Sequence, residues 1–435
     1  MHALARKLES SELVLRTGRV VAARGAIVES KGPASQIGER CRIEADNASM
    51  DAEVIGFGSG VTMLMPLGSH NDVCVGARVI ALGRFPDVPV GPQLLGRVID
   101  AFGQPVDHPA AFPELERRSL RSPRLRAMQR SRVDTPLQTG VKAIDSMLTL
   151  ARGQRIGLFA GSGVGKSSLM GMMARGSRTG VNVIALIGER SREVREFIED
   201  ALGAEGLQRS VVVVATADEP AVVRNRAAHA AATIAEYFRD RGEDVLLMMD
   251  SVTRLAMARR EIGLSVGEPP TARGYTPSVF SELPQLCERS GPGAGAGSIT
   301  GVFTVLIDGD DMNEPIADTL RATLDGHIVL SRDLANAGQY PAIDILQSVS
   351  RLHSAIAEPE HLTAANNILA ACSLYERNRQ LVEIGVYKPG VNQELDRAVQ
   401  AMPKIRAFLS QKMDEKSDRA ESLAQLVKLA AQVVP

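Results

Sequence analysis

Apolar and polar positions divide this chain into three stretches with different periods. From about Leu13 to Leu82 short β-type runs are cut by glycine, as in LVLRTGRVVAARGAIVES, GERCRIE, DAEVIGFGSGVTMLMPL and GARVIAL. Evenly spaced short strands with turn formers between them predict a small closed or nearly closed β barrel. A middle stretch alternates apolar runs with helical ones. RIGLFA, VNVIALIG, SVVVVATA, DVLLMMD, SITGVFTVLI and GHIVLS are separated by segments such as REVREFIEDALG and AVVRNRAAHAAATIAEYFRDRG. Near-continuous Val, Ile and Leu means burial on both faces, which predicts a mainly parallel sheet covered by helices. Beyond about Ser354 the strands stop, and EHLTAANNILAACSLYERNRQLVEIG, NQELDRAVQAMPKIRAFLSQK and SDRAESLAQLVKLAAQVV carry helical spacing. The expected division is a barrel over 1–83, an α/β domain over 84–354 and a helical domain over 355–435.

Composition narrows the options without choosing among them. The 435 residues hold 50 Lys plus Arg against 51 Asp plus Glu, a net charge of -1, so no overall field recruits nucleic acid or an acidic membrane. Cys41, Cys74, Cys287 and Cys372 form no C-x-x-C pair, which points to four free thiols in a reducing compartment. No apolar run approaches the roughly 20 residues that span a bilayer, and MHALARKLESSEL lacks the apolar centre of a signal peptide. That N-terminus has Leu4, Leu8 and Ser11 on one side of about three helical turns, marginal by itself. Seven arginines lie between Arg117 and Arg132 in the connector that follows GPQLLGRVIDAFGQPVD. Without aromatic residues for base stacking they read as a solvated or salt-bridged link. GPGAGAGS reads as a flexible loop.

The chemistry begins at AGSGVGKSS, Ala160 to Ser168, between the strand RIGLF and a helix starting at Lys166. Gly161, Gly163 and Gly165, with Ser162 and Val164 between them, let backbone N–H groups point inward at phosphate oxygens, and the helix N-terminus adds partial positive charge. Lys166 would reach the β- and γ-phosphates and the Ser167 hydroxyl would ligate Mg2+, with Ser168 next in the same turn. Ala160 stands where the strict motif has its first glycine. The strand DVLLMMD ends in Asp250, 84 residues after Lys166, placed to hold the Mg2+ shell unless it only caps a helix. VNVIALIG ends in Glu189 at the same sheet edge. A carboxylate beside phosphates is unfavourable unless it orients an attacking water; the bland reading is a cap on the helix SREVREF.

Together, AGSGVGKS, GERSREV, LLMMDSVTR, GEPPTARGYTPSVFSELPQLCER, GSITGVFTVL, DGDDMNEPIADTLRATLDGHIVLSR and QYPAIDILQSVSR resemble the catalytic subunit of rotary ATP synthases. More closely they resemble the ATPase of the type III protein export apparatus in its flagellar form. The resemblance runs from about Gly18 to Val399 and implies a RecA-like P-loop NTPase domain between a barrel and a helical domain. It gives Glu189 the water-activating role, Lys166 and Ser167 the phosphate and metal contacts, and Asp250 the Mg2+-linked carboxylate. Arg190 and Arg254 match arginines near the γ-phosphate, and Tyr340 an aromatic that stacks on adenine. Arg351 matches an arginine finger inserted into the neighbouring subunit's site, which implies a ring, commonly a hexamer. The acidic segment with Asp308, Asp310, Asp311 and Glu314 is expected near a central stalk protein, a solvated turn being the alternative.

The implied activity is ATP hydrolysis assisting type III export of flagellar proteins, with chaperone release and substrate unfolding. Implied partners are a negative regulator, the export gate, chaperone–substrate complexes and, peripherally, the inner membrane; nucleic acid is not among them. Four other readings compete. A nucleotide-holding subunit lacks the GER glutamate. An ATP synthase catalytic subunit has an acidic helix-turn that LDRAVQAMPKIRAFLSQKMDE does not match. An RNA-driven ring helicase needs aromatics that the barrel segment lacks. A virulence-type export ATPase differs least, and GRVVAARGAIVESKGPASQIGERCRIEA favours the flagellar form.

Overall fold

The computed structural model describes residues 14–45, 48–68, 72–109, 112–121, 125–307 and 311–433. The helical turns expected over MHALARKLESSEL, and Asp308 and Asp310, lie outside them. The barrel comprises β1 (Thr17–Arg24), β2 (Ile27–Lys31), β3 (Arg40–Ala45), β4 (Ala48–Gly58), β5 (Val61–Pro66) and β6 (Arg78–Ala81). They close antiparallel in the order β1-β2-β5-β4-β3-β6, with β6 returning to β1. Alternation explains the closure: Val20, Val28, Cys41, Ile43, Val54, Leu64 and Val79 point inward as one buried cluster. That cluster is small, and the barrel also leans on the sheet domain, into whose core Met65 projects.

The connector is more ordered than its sequence suggests. β7 (Asp87–Val90) pairs with β9 (Glu116–Ser119), while β8 (Arg97–Asp100) joins the central sheet. RVID reads as linker because a four-residue run carries too little periodicity to register. Two of the arginines are salt-bridged: Arg117 meets Asp87 at 2.8 Å and Arg118 meets Asp240 at 2.9 Å.

The central sheet adds β10 (Arg155–Ala160), β11 (Val181–Glu189), β12 (Ser210–Thr216), β13 (Asp244–Asp250), β14 (Gly291–Pro292), β15 (Ser298–Leu306), β16 (Gly326–Leu330) and β17 (Ile343–Ser350). Its order is β17-β16-β10-β15-β13-β11-β12-β8, parallel except for the edge pair β16/β17 and the short β14 on β15. β14 makes GPGAGAGS the tip of an anchored hairpin, closed by Gly293 N–H on Gly297 O at 2.9 Å, rather than a free loop.

All nine residues of β11 are buried, Val183, Ala185 and Ile187 toward one core and Ile184 and Leu186 toward the other. The second face carries α1 (Lys142–Met147), α2 (Lys166–Gly176), α3 (Ser191–Glu196), a π-helical turn at Phe197–Leu202, and α4 (Gly203–Gln208). The first face carries α5 (Ala221–Asp240), α6 (Val252–Ser265), α7 (Pro277–Cys287) and α8 (Pro315–Thr323). Short helices α9 (Arg332–Asn336) and α10 (His353–Ile356) flank β17. The chain ends in α11 (Pro359–Glu383), α12 (Gln393–Leu409) and α13 (Arg419–Ala430). Ile368, Ile405 and Leu426 of these helices join the core on the α2 face, so the helical unit abuts the side of the sheet that bears the phosphate loop.

Candidate nucleotide-binding site

Three parallel strands end at one sheet edge, and each delivers one functional group there. β10 runs into the loop before α2, where Gly163 and Gly165 take φ of 77° and 92°, left-handed values that only glycine adopts freely. Gly165 is the N-cap of α2 and brings no side-chain cap to its amides, so the helix N-terminus is an arrangement that suits an anion. The loop lines a cavity of about 710 Å³ with Lys166, Ser167, Ser168, Glu189, Arg190, Glu193, Asp250, Arg254 and Met413. Asp250, at the end of β13, is buried. Its Oδ1 accepts from Lys166 Nζ at 2.5 Å and from the Thr304 hydroxyl at 2.7 Å.

Glu189 ends β11 where the pairing with β12 slips at Ile187/Glu189, and it is 8% exposed. Lys166 Nζ stands 3.7 Å and Arg254 Nε 3.5 Å from Oε1, an oxygen that has no hydrogen-bond partner. Gly188 makes room for Arg254: a Cβ there would meet its Cδ at 2.9 Å. Burial pushes the Glu189 carboxyl up to about 7 and the nearby Asp250 charge pushes the same way, against the pull of Lys166. When protonated, Glu189 donates to the Glu193 carboxylate, which that bond holds below the usual range. An acid in this position accepts a proton near neutral pH, the condition for general-base work.

The remaining residues singled out from sequence are placed differently from one another. Arg190 caps the start of α3 with its side chain 73% exposed and 3.7 Å from Glu193. Tyr340 is 48% exposed, its ring 3.5 Å from where a Cβ on Gly165 would stand. Arg351 is not brought to this cavity. It follows β17, exposed, with Nη2 donating to Arg321 O at 2.9 Å. Glu314 is not a solvated turn residue: it is 9% exposed, and Arg273 reaches both it, at 3.7 Å, and Asp311, at 2.7 Å. Sequence reading passed over Thr304, Glu193 and Met413. Thr304 left one signal, a hydroxyl within the apolar run VFTVLI.

No group of three or more His, Cys, Asp and Glu able to hold a metal occurs among the described residues. The oxygen donors Ser167 and Asp250 nevertheless fit a hard divalent cation that takes its other ligands from phosphate and water. Also among the described residues, no helix is long and apolar enough to cross a membrane.

Comparison with known proteins agrees with this geometry. Residues 140–350 match the nucleotide-binding domain of the ATP synthase alpha/beta family, and residues 357–428 match the C-terminal domain of the type III secretion ATPase EscN. The chain is 51% identical to the flagellum-specific ATP synthase of Bacillus subtilis, covering 97% of each chain. It is 47% identical to the type 3 secretion system ATPase of Xanthomonas euvesicatoria, over 95% of this chain and 94% of that one. Among solved structures, assembled EscN of enteropathogenic E. coli superposes with a TM-score of 0.90 at 42% identity, over 95% of this chain and all of that one. EscN in complex with its central stalk EscO gives 0.87 at 41% identity. This chain belongs to the ATP synthase alpha/beta family, in the branch formed by the flagellum-specific and type III secretion ATPases.

Proposed function

We propose that this chain hydrolyses ATP with Glu189 as the base that orients the attacking water, and that the hydrolysis serves type III export of flagellar proteins. The observation that carries the reading is Glu189 itself: a nearly buried carboxylate, raised to about 7, on the wall of the phosphate-loop cavity. The loop 160–168 binds the phosphates, Lys166 neutralises the β- and γ-oxygens, and Arg190 and Arg254 stand beside the γ-phosphate. Ser167 and Asp250 would hold Mg2+, which would supply charge neutralisation at the phosphates. Tyr340 stacks on the base. Arg351, exposed and outside its own cavity, serves the site of a neighbouring copy, so turnover depends on a ring, for which a hexamer is proposed.

The same reading divides the chain at 83 and 354 into barrel, ATPase and helical domains. It places the protein in the cytoplasm against the inner-membrane export apparatus, with a central stalk protein, a negative regulator, the export gate and chaperone–substrate complexes as partners. A virulence export system is the second reading, supported by the 47% identity to a type 3 secretion ATPase. Deleting the gene and measuring motility and filament protein export separates the two, with Glu189→Gln as the comparison. Purified Glu189→Gln should bind ATP but not turn it over. Normal motility and export in both strains would exclude the flagellar role, and wild-type turnover by Glu189→Gln would exclude the base.

A further inference from the structure

Arg351 is exposed, but the main chain that carries it is held from two sides. Its N–H donates to Asp325 O at 3.0 Å, and Ser350 before it stands opposite Gly326 in the β16/β17 pairing. A Cβ on Gly326 would collide with Val349 O and come within 3.0 Å of the Ser350 Cα, so the two strand ends lie closer than a side chain there would allow. Gln154, fully buried just ahead of β10, reaches both strand ends. Its Nε2 donates to the Ser350 hydroxyl at 3.0 Å and to Asp325 O at 3.3 Å, while its Oε1 accepts from Ala151 N at 2.8 Å. Turning the amide over would set oxygen against carbonyl and NH2 against N–H, so these partners fix which way it points. Its main chain is fixed too, with Gly301 N–H donating to Gln154 O at 2.9 Å. Arg155 clasps the Asp325 carboxylate through its N–H at 2.9 Å and its Nε at 3.1 Å.

We propose that Gln154 is a positioning residue for Arg351: it fixes the strand end from which the guanidinium is presented to the site of a neighbouring copy. The proposal rests on the trans role given to Arg351 above. The arm itself is long and exposed, with Nη2 on Arg321 O at 2.9 Å, so its reach is set by where its Cα is held. A displacement of about 1 Å at that base is enough to lower a rate about 10²-fold. The cavity of the same chain is remote by comparison. β10 runs from Arg155 to Ala160, so at about 3.3 Å per residue Gln154 stands about 20 Å from its own phosphate loop. A change at Gln154 therefore reaches its own site only along a buried strand, whereas it reaches Arg351 through the residue next to it.

The test compares wild type with Gln154→Met, Ser350→Ala and Ser350→Thr in steady-state ATP hydrolysis by the assembled protein, each alone and co-assembled one to one with Glu189→Gln. kcat should fall about 10²-fold in Gln154→Met and about tenfold in Ser350→Ala, with KM within about twofold, because the finger acts in the transition state. Ser350→Thr keeps the hydroxyl and should stay within about twofold of wild type. In a ring of head-to-tail interfaces, random mixing joins an intact Glu189 to an intact finger at about a quarter of the interfaces. The mixture of Gln154→Met with Glu189→Gln should therefore recover to about that fraction of wild-type turnover, with each protein alone nearly inactive. A mixture no more active than the mean of its parts overturns the proposal, and so does a raised KM with unchanged kcat. Arg351→Ala mixed with Glu189→Gln is the control. If that control does not recover, the trans role of Arg351 falls and the proposal with it; if it recovers and the Gln154→Met mixture does not, the proposal alone falls. If Gln154→Met fails to fold, Ser350→Ala decides in the same mixture.

Discussion

Replacing Glu189 by Gln removes a charge that the folded chain resists. The carboxyl stands at about 7 against an ordinary 4.5, with burial the first cause and the Asp250 charge the second. Between those values the folded chain holds a proton that the unfolded chain has released, so stability falls as pH rises from 4.5 through about 7. At 1.36 kcal/mol per pKa unit the loss is about 3 kcal/mol. A glutamine of the same shape carries no such penalty and can still donate to Glu193. Glu189→Gln should therefore be more stable than the parent at pH 8 by up to about 3 kcal/mol, and nearly equal to it at pH 5. The assay is thermal unfolding without nucleotide or divalent cation at pH 5, 6, 7 and 8, where roughly 2–4 °C accompanies each kcal/mol in domains of 150–250 residues. A variant that melts at or below the parent at pH 8, or by the same margin at pH 5 and pH 8, refutes the electrostatic account of Glu189.

Three further outcomes follow from the geometry. Arg351→Ala should keep binding of a fluorescent ATP analogue within about twofold, while turnover of the assembled protein falls by about 10³, the scale of a finger acting in trans. Thr304→Val removes the hydroxyl that donates to Asp250 at 2.7 Å. A bond to a charged group is worth about 1.5–3 kcal/mol, so kcat should drop at least tenfold while the melting temperature stays within a few degrees. Asp145 is fully buried and accepts from Thr139 N, Thr139 Oγ1 and Gly140 N. Asp145→Ala strands two backbone donors in the core and should cost about 2–4 kcal/mol, read as a lower unfolding midpoint in urea.

Some of this was legible in the sequence because charge interrupts apolar runs at strand ends. Glu189 and Asp250 announce themselves that way, Lys166 by the glycine-rich loop that follows β10, and parallel pairing then brings the three strand ends to one edge without further information. Tyr340 and Arg351 were different: nothing in their local pattern distinguishes them, and only family resemblance singled them out. β8 and β17 were missed for opposite reasons. β8 is too short to show a period, and β17 is an edge strand whose Leu346, Gln347 and Val349 face outward, blurring the apolar run. Thr304 was hidden because its partner lies 54 residues away. In the acidic segment, Arg273 comes from a separate loop to pair with Asp311 and Glu314, a partnership that no local pattern announces.

Lys166 ties the site's electrostatics together. It bonds Asp250 at 2.5 Å and stands 3.7 Å from Glu189 Oε1, where Arg254 is closer at 3.5 Å. If Lys166 turns to the phosphates, as proposed, Asp250 retains the Thr304 hydroxyl and Glu189 retains Arg254 as its nearby cation. A polyanion has then entered a pocket that still holds two carboxylates, one of them already reluctant to ionise. Coulomb repulsion at such distances amounts to several kcal/mol at an effective dielectric of about 20, so binding needs a further positive charge near Ser167 and Asp250. ATP affinity should accordingly fall at least about tenfold when divalent cations are chelated, each tenfold being 1.4 kcal/mol. Asp250→Asn should narrow that gap, because it removes one of the charges the cation offsets. Equal affinity with and without the cation would mean that Lys166 and Arg254 alone balance the phosphates, and would remove the reason for assigning Asp250 to the metal.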